Sequence, residues 1–247
     1  MYLKRFGGDG KEDWSRSWKS ETYFQPLLTS RLRITQDGIY LILDGKLLKL
    51  DQNGNEVWTQ ELKGCAVDLD VMMDRIYVGG FVTEGATGGS DAFLAAFDSD
   101  GSLLWYRRRE TNGVEGDTAR RVCATPDSVY LLVIGSKGWT LKTITKFDPK
   151  GNQRWDQRLE DDRIYNDLKY FNDYLYAAGT LNNDALIAKL DLEGRILWNK
   201  TIGKPDREDY AAGIFLDKNH IYVVGTTESY TKWSQRIAFL NIYRIIK

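Results

Sequence analysis

LDQNGNEVW at residues 50–58, FDSDGSLLW at 97–105, FDPKGNQRW at 147–155 and LDLEGRILW at 190–198 are one pattern written four times. In each, an apolar residue precedes an aspartate, a glycine stands three residues after the aspartate, and a tryptophan stands four residues after the glycine. A degenerate fifth copy, FGGDGKEDW, ends at Trp14 and has Gly7 in place of the aspartate. Fixed internal spacing that returns every roughly 40–50 residues is the mark of a repeat architecture. Asp-x-x-Gly suits a tight hairpin: glycine takes a positive φ without steric cost, and the aspartate caps the turn with its carboxylate. The tryptophan that follows opens a strand and brings a large apolar area for covering a neighbouring repeat.

Outward from this turn, each repeat has the same flanks. A tyrosine-centred apolar run follows each tryptophan: GIYLIL at Tyr40, RIYVGG at Tyr77, SVYLLVIG at Tyr130, YLYAAG at Tyr176 and HIYVVG at Tyr222. A third run, such as KLLKLD, AFLAAFD, TITKFD or ALIAKLD, leads into the next turn. A short apolar stretch, such as 66–72, 119–125 or 211–216, lies between each tryptophan strand and the next tyrosine strand. That makes four strands per repeat and five repeats. The expected fold is all-β: a five-bladed β-propeller of four-stranded antiparallel blades, forming one domain over 1–247. The near-continuous apolar character of the tyrosine strands predicts burial on both faces. The last repeat has its third strand at 236–243 but no Gly-x-x-x-Trp, and the orphan copy at Gly10 to Trp14 would supply it. The expectation is a ring closed by the N-terminal strand joining the C-terminal blade. Residues 2–6 also read as a third strand, so two segments compete for one place; 237–243 is expected to hold it, with 2–6 beside or outside it.

The run WNKTIGKPDREDYAAGIFLDKNHIYVVGTTES at 198–229 resembles the repeats of prokaryotic β-propeller proteins called SBBP repeats, and the Gly-x-x-x-Trp element resembles the tryptophan element of PQQ-like repeats. The resemblance runs blade by blade over nearly the whole chain. It implies the propeller fold and leaves function open, because those families hold scaffolds as well as enzymes. Quinone-dependent members are larger and carry a cofactor site. This chain has no vicinal cysteine pair, and no cofactor is expected.

Composition narrows the classes further. Thirty-four basic against thirty-five acidic side chains give a net charge of -1, which provides no global attraction to nucleic acid. No apolar run approaches the ~20 residues of a membrane span. The N-terminus lacks the apolar centre of a secretory signal, so the expected compartment is the cytoplasm, or the outside if an export signal has been removed. A monomer is expected. Cys65 and Cys123 read as small buried hydrophobes. His220 is the sole histidine, which excludes multi-histidine metal sites and argues against a serine–histidine–acid triad. DSDG at 98–101 is one of the repeated turns, not a calcium loop, since the twelfth position of such a loop would be Arg109. The glycine-rich 80–91 lacks a phosphate-binding ending. No metal site is expected.

Two candidate sites remain. The loops opposite the Asp-x-x-Gly turns are long and unequal, and they carry aromatic and arginine residues outside the repeat pattern. Trp18, Phe24, Phe81, Arg109, Trp139 and Trp233 form the candidate face for a protein or glycan partner. Nine residues before each repeat tyrosine stand Arg31, Asp68, Arg121, Asp167 and Gly213, near the start of each innermost strand. Alternating charge there reads first as structural ion pairing and second as a channel site for a polar ligand. A non-catalytic binding scaffold is the first expectation. The alternative is a glycoside-acting enzyme using Asp68 and Asp167, which needs carboxylates roughly 5–9.5 Å apart.

Overall fold

A computed structural model describes residues 2–19, 31–83, 89–109, 116–135, 142–159, 161–204, 207–229 and 236–244. The described residues are built from strands, with no helix among them and so no helix able to cross a membrane. Among the described residues, twenty-one strands form six antiparallel sheets. A two-stranded sheet pairs β1 (Tyr2–Phe6) with β2 (Glu12–Ser17). Four four-stranded sheets follow. The first holds β3 (Arg31–Ile34), β4 (Ile39–Leu43), β5 (Lys46–Leu50) and β6 (Glu56–Glu61). The second holds β7 (Cys65–Met72), β8 (Arg75–Thr83), β9 (Ser90–Asp98) and β10 (Leu103–Arg108). The third holds β11 (Asp117–Thr125), β12 (Ser128–Gly135), β13 (Lys142–Phe147) and β14 (Gln153–Arg158). The fourth holds β15 (Ile164–Phe171), β16 (Tyr174–Leu181), β17 (Asp184–Leu190) and β18 (Ile196–Ile202). The last sheet has three strands, β19 (Asp209–Leu216), β20 (His220–Thr227) and β21 (Ile237–Arg244). The chain divides into two compact units, Met1–Val122 and Cys123–Lys247, with the boundary inside β11.

Four of the repeats supply the four strands their sequences announce, and the last supplies three among the described residues. At Asp51 the turn works as its residues require. Gly54 takes a φ of 77° and donates its N–H to the Asp51 carbonyl, while the Asp51 carboxylate accepts the N–H groups of Asn53 and Asn55. Asp98, Asp148 and Asp191 repeat this arrangement. The N-terminal copy keeps the turn without the carboxylate: Gly10 still bonds to Gly7 and still has a positive φ.

Within each unit, tryptophans lock one sheet to the turn of the next. In the first unit a Cβ on Gly54 would lie 2.8 Å from the Trp14 ring, and one on Gly101 would lie 2.9 Å from the Trp58 ring. In the second unit a Cβ on Gly194 would lie 3.0 Å from the Trp155 ring. The same turns receive polar ties. The Ser99 carbonyl accepts Trp58 Nε1 at 3.0 Å and Lys49 Nζ at 3.2 Å. The Gln52 carbonyl accepts Trp14 Nε1 and Arg5 Nη1, and the Leu192 carbonyl accepts the Tyr130 hydroxyl and Lys146 Nζ. Lys49 and Lys146 reach these carbonyls across the faces of Tyr40 and Tyr130, a cation–π arrangement.

The cores lie between successive sheets. Tyr40, Ile42, Leu69, Val78 and Phe93 pack together in the first unit, and Tyr130, Leu132, Leu168, Leu175 and Leu186 in the second. The tyrosine strands β4 and β12 are buried along their whole length, as two-sided burial demands.

Two expectations are corrected at the termini. The N-terminal outer strand does not join the last sheet: β2 pairs with β1 along Tyr2–Ser17 to Phe6–Glu12, and the last sheet stays three-stranded. The tyrosine strand β20 is also not buried on both faces. Ala211, Ile214, Ile221 and Val223 are covered, whereas Phe215, Val224, Leu240 and Ile242 point outward and are exposed. The physical reason is strand supply. Segments 2–6 and 237–244 both form third strands, each with its own partner, so β2 has its hairpin mate already. Arg244 lies two residues after the partner of Tyr222, where the other sheets place the turn aspartate.

Candidate functional site

The first strand of a sheet carries the repeated charged position, and a backbone irregularity aims it. Register shifts fall between Ala66 and Asp68 in β7, between Tyr165 and Asp167 in β15, and between Ala211 and Gly213 in β19. A bulge of this kind turns the next side chain out of the pleat's alternation. In the first unit it points Asp68 at β11, where its carboxylate accepts the Val122 N–H at 3.0 Å. In the second it points Asp167 at β19, where its carboxylate accepts the Ile214 N–H at 3.1 Å. Both aspartates therefore tie one innermost strand to the backbone of the next.

The surroundings of Asp68 are cationic. Arg31 Nε lies 3.4 Å from its other oxygen, Arg33 pairs with Asp70 at 2.9 Å, and Arg121 sits on the adjoining strand. Burial pushes the Asp68 carboxyl above its ordinary value, and the Val122 N–H and the arginines pull it back. Asp167 is buried as well, with Lys169 Nζ 3.3 Å from one oxygen and the Leu168 N–H on the same oxygen. Each carboxylate has its lone pairs aimed at backbone donors and fixed cations. Such a group holds structure. A general acid or nucleophile in glycoside cleavage needs an oxygen open to the substrate.

The long-loop candidates are less uniform than their composition suggests. Trp18 is half-buried and packs on the cluster formed by Ile39, Leu41 and Leu48. Phe81 is not a loop residue: it lies inside β8, opposite Cys65, and is half-buried. Arg109 follows β10 and approaches the buried Asp117 carboxylate at 3.7 Å. Phe24, Trp139 and Trp233 lie outside the described residues. Of the other loop aromatics, Tyr106 stacks on Phe93 with ring centroids 5.3 Å apart, and Tyr165 is fully buried with its hydroxyl beside Arg163. The described aromatics thus act mainly as packing. Sequence reasoning missed the Asp91–Arg108 and Arg109–Asp117 pairs that order this face in the first unit. Arg108 and Arg109 stand next to Trp105 and Tyr106 in a run with no repeat counterpart, and that departure was the available signal.

Repeated Asp-x-x-Gly-x-x-x-Trp turns, four-stranded sheets and tryptophans seated on the following turn define a β-propeller protein built of PQQ-like repeats. The chain belongs to the PQQ-like repeat family whose model is described as outer membrane protein assembly factor BamB, which matches residues 3–174. No curated protein matches it. Among solved structures it is similar to BamB from Moraxella catarrhalis, with a TM-score of 0.56 and 14% identity over 87% of this chain and 60% of that one. It is similar to a europium-containing methanol dehydrogenase, with a TM-score of 0.60 and 15% identity over 95% of this chain and 61% of that one. It is also similar to BBS1N, solved in complex with ARL6DN, with a TM-score of 0.57 and 12% identity over 86% of this chain and 63% of that one. At these identities the likeness is one of fold. The chain spans about 60% of the length of these structures.

Proposed function

We propose that this protein is a non-catalytic scaffold whose five repeats are propeller blades and whose long-loop face holds a protein partner, with a glycan as the second candidate ligand. The observation that carries this reading is the use of the innermost carboxylates. Asp68 and Asp167, the pair the enzymatic alternative depends on, each bind the backbone of an adjoining strand. Two of the similar folds support it: BamB is an outer membrane protein assembly factor, and BBS1N was solved in complex with ARL6DN. The rigid part of each repeat lies in strands and short turns, and the variable part in the long connections, which is where binding residues collect on such scaffolds.

The test has two arms. Cross-linking in the cells that make the protein, followed by peptide mapping, should place partner cross-links in the connections 80–91, 106–118, 199–210 and 225–236. A glycan array read beside a set of aryl glycosides should show no turnover. Cross-links confined to the Asp-x-x-Gly turns would overturn the choice of face. Turnover abolished by Asp68→Asn or Asp167→Asn would overturn the scaffold reading.

A further inference from the structure

The two units handle one acidic position differently. In the first unit Asp91 opens the third strand's core and Asp117 opens an innermost strand, and two arginines answer them. Arg108 Nε donates to Asp91 at 2.7 Å, and Arg109 Nε lies 3.7 Å from Asp117, which is 1% exposed. Asp91 stands seven residues before the turn aspartate Asp98, and Arg108 and Arg109 stand three and four residues after Trp105. The matching residues of the second unit are Asp184, seven before Asp191, and Asp209, which opens β19. The positions three and four after Trp198 are Thr201 and Ile202. The acids are kept and the arginines are absent.

The carboxylates nevertheless converge. Asp184 Oδ1 and Asp209 Oδ2 lie 2.1 and 2.8 Å from the point where a Cβ on Gly203 would sit, so the two oxygens are less than about 5 Å apart and only glycine leaves them room. Asp209 is 3% exposed. Its Oδ2 accepts the Ser229 hydroxyl at 2.6 Å, and Ser229 Oγ in turn accepts the Lys204 N–H. Its Oδ1 is buried and has no hydrogen-bond partner, and neither acid forms an ion pair among the described residues. Arg236 is committed to Glu208 and Glu228. One strand away, the buried Asn166 donates Nδ2 to the Ala211 carbonyl, two residues along β19 from Asp209, and its own Oδ1 also lacks a donor. A buried carboxylate oxygen without a donor is destabilising unless something positive reaches it.

We infer that Asp184 and Asp209 hold a hard divalent cation, calcium by preference, where the first unit uses arginine. The ligands on offer are all oxygen, which selects hard cations over thiophilic or imidazole-seeking metals. Two carboxylates spaced under about 5 Å suit one ion bound at about 2.3–2.6 Å from each. Among the described residues no group of three or more acidic, histidine or cysteine side chains forms a metal cage, so backbone carbonyls and water complete the shell. The near-complete burial of Asp209 favours a small ion over an incoming side chain.

Calorimetric titration of the chelator-treated full chain with calcium chloride, alongside thermal unfolding, tests this. Saturable binding is expected, with Tm raised by about 5–10 °C at a hundredfold excess over Kd. Asp184→Asn, at the less buried acid, should weaken binding at least tenfold while the circular dichroism spectrum stays unchanged. The double substitution Thr201→Arg with Ile202→Arg should raise the calcium-free Tm and remove the response to calcium. Absence of both heat and Tm shift up to 10 mM calcium in the folded wild-type chain would overturn the site. So would a calcium response that Asp184→Asn and the double arginine variant leave intact.

Discussion

Trp58 lies over Gly101 with its six-membered ring so close that the smallest side chain would collide with it: a Cβ would sit 2.9 Å from Trp58 Cδ2. Gly101 also holds a φ of 85°. Two separate costs therefore attend any substitution there, and they can be measured apart. Gly10, with a φ of 78°, has nothing within 4 Å of its Cβ position. Gly10→Ala should cost only the left-handed backbone penalty, about 1–2 kcal/mol. Gly101→Ala should cost that plus an overpacking cost of about 1–3 kcal/mol. Urea denaturation of the two variants should separate them by that second amount; equal midpoint shifts would mean the indole gives way freely.

Asp68 supports a stability prediction of its own. Asp68→Ala removes the acceptor of the Val122 N–H and the carboxylate that faces the partly exposed Arg31. Leaving a buried N–H without its acceptor costs about 1–3 kcal/mol. Asp68→Asn keeps a carbonyl for the N–H and should recover part of this. Chemical denaturation ranks the three chains, and the order wild type, Asn, Ala is the expected one.

Acid should weaken the protein through two carboxylates at the first hairpin of their sheets. Burial pushes Asp37 up, but hydrogen bonds from Thr35, Tyr40 and Lys49 bring it down to about 2. The backbone N–H of Asn219, with the Tyr222 hydroxyl and the His220 N–H, holds Asp217 at about 2. Both are ordinarily 3.8. A carboxyl held lower in the folded chain than in the unfolded one stabilises the fold above the ordinary value, and that stabilisation drains away as pH falls from 3.8 toward 2. Urea midpoints taken across that window should fall, and the fall should be shallower in Asp217→Asn.

The thiols should differ in reach. Cys65 is half-buried and Cys123 is covered, and both are free. Burial raises the Cys65 thiol above its ordinary pKa, which lowers its thiolate fraction. An aromatic disulfide reagent at pH 8 should label Cys65 slowly, leave Cys123 untouched, and label both at once in denaturant. Rapid native labelling of Cys123 would contradict its place in the core between β12 and β15.

How much of this could be read in advance follows from what kind of information each feature uses. The turns, the tyrosine strands and the tryptophan strands are local: a glycine at a fixed offset from aspartate dictates a hairpin wherever it falls, and Gly54, Gly101, Gly151 and Gly194 obey. The pairing at the termini is not legible because it is a choice between two similar segments, Tyr2–Phe6 and Ile237–Arg244. The deciding residue, Arg244 in the aspartate's place, carries meaning only once the register with Tyr222 is known. The charged position nine residues before each repeat tyrosine is found by counting and reads as ion pairing, which Arg31 and Asp68 make, but the tie from Asp68 and Asp167 to a neighbouring backbone is not legible, because the bulge that aims them adds one residue without leaving a sequence mark. The face expected to be loop-borne lost Phe81 to β8, since an apolar alternation there simply extends the strand.

The seating of Trp14, Trp58 and Trp155 on the following turns also limits how such a gene can grow. An indole and the glycine beneath it belong to different repeats, so neither is complete without the other. A tandem duplication that starts anywhere and ends at the equivalent point one repeat later preserves every indole–glycine match, whatever its breakpoint. A gain or loss of any other length strands one ring and bares one turn. Lineages built on this module should therefore differ in size by whole multiples of the period.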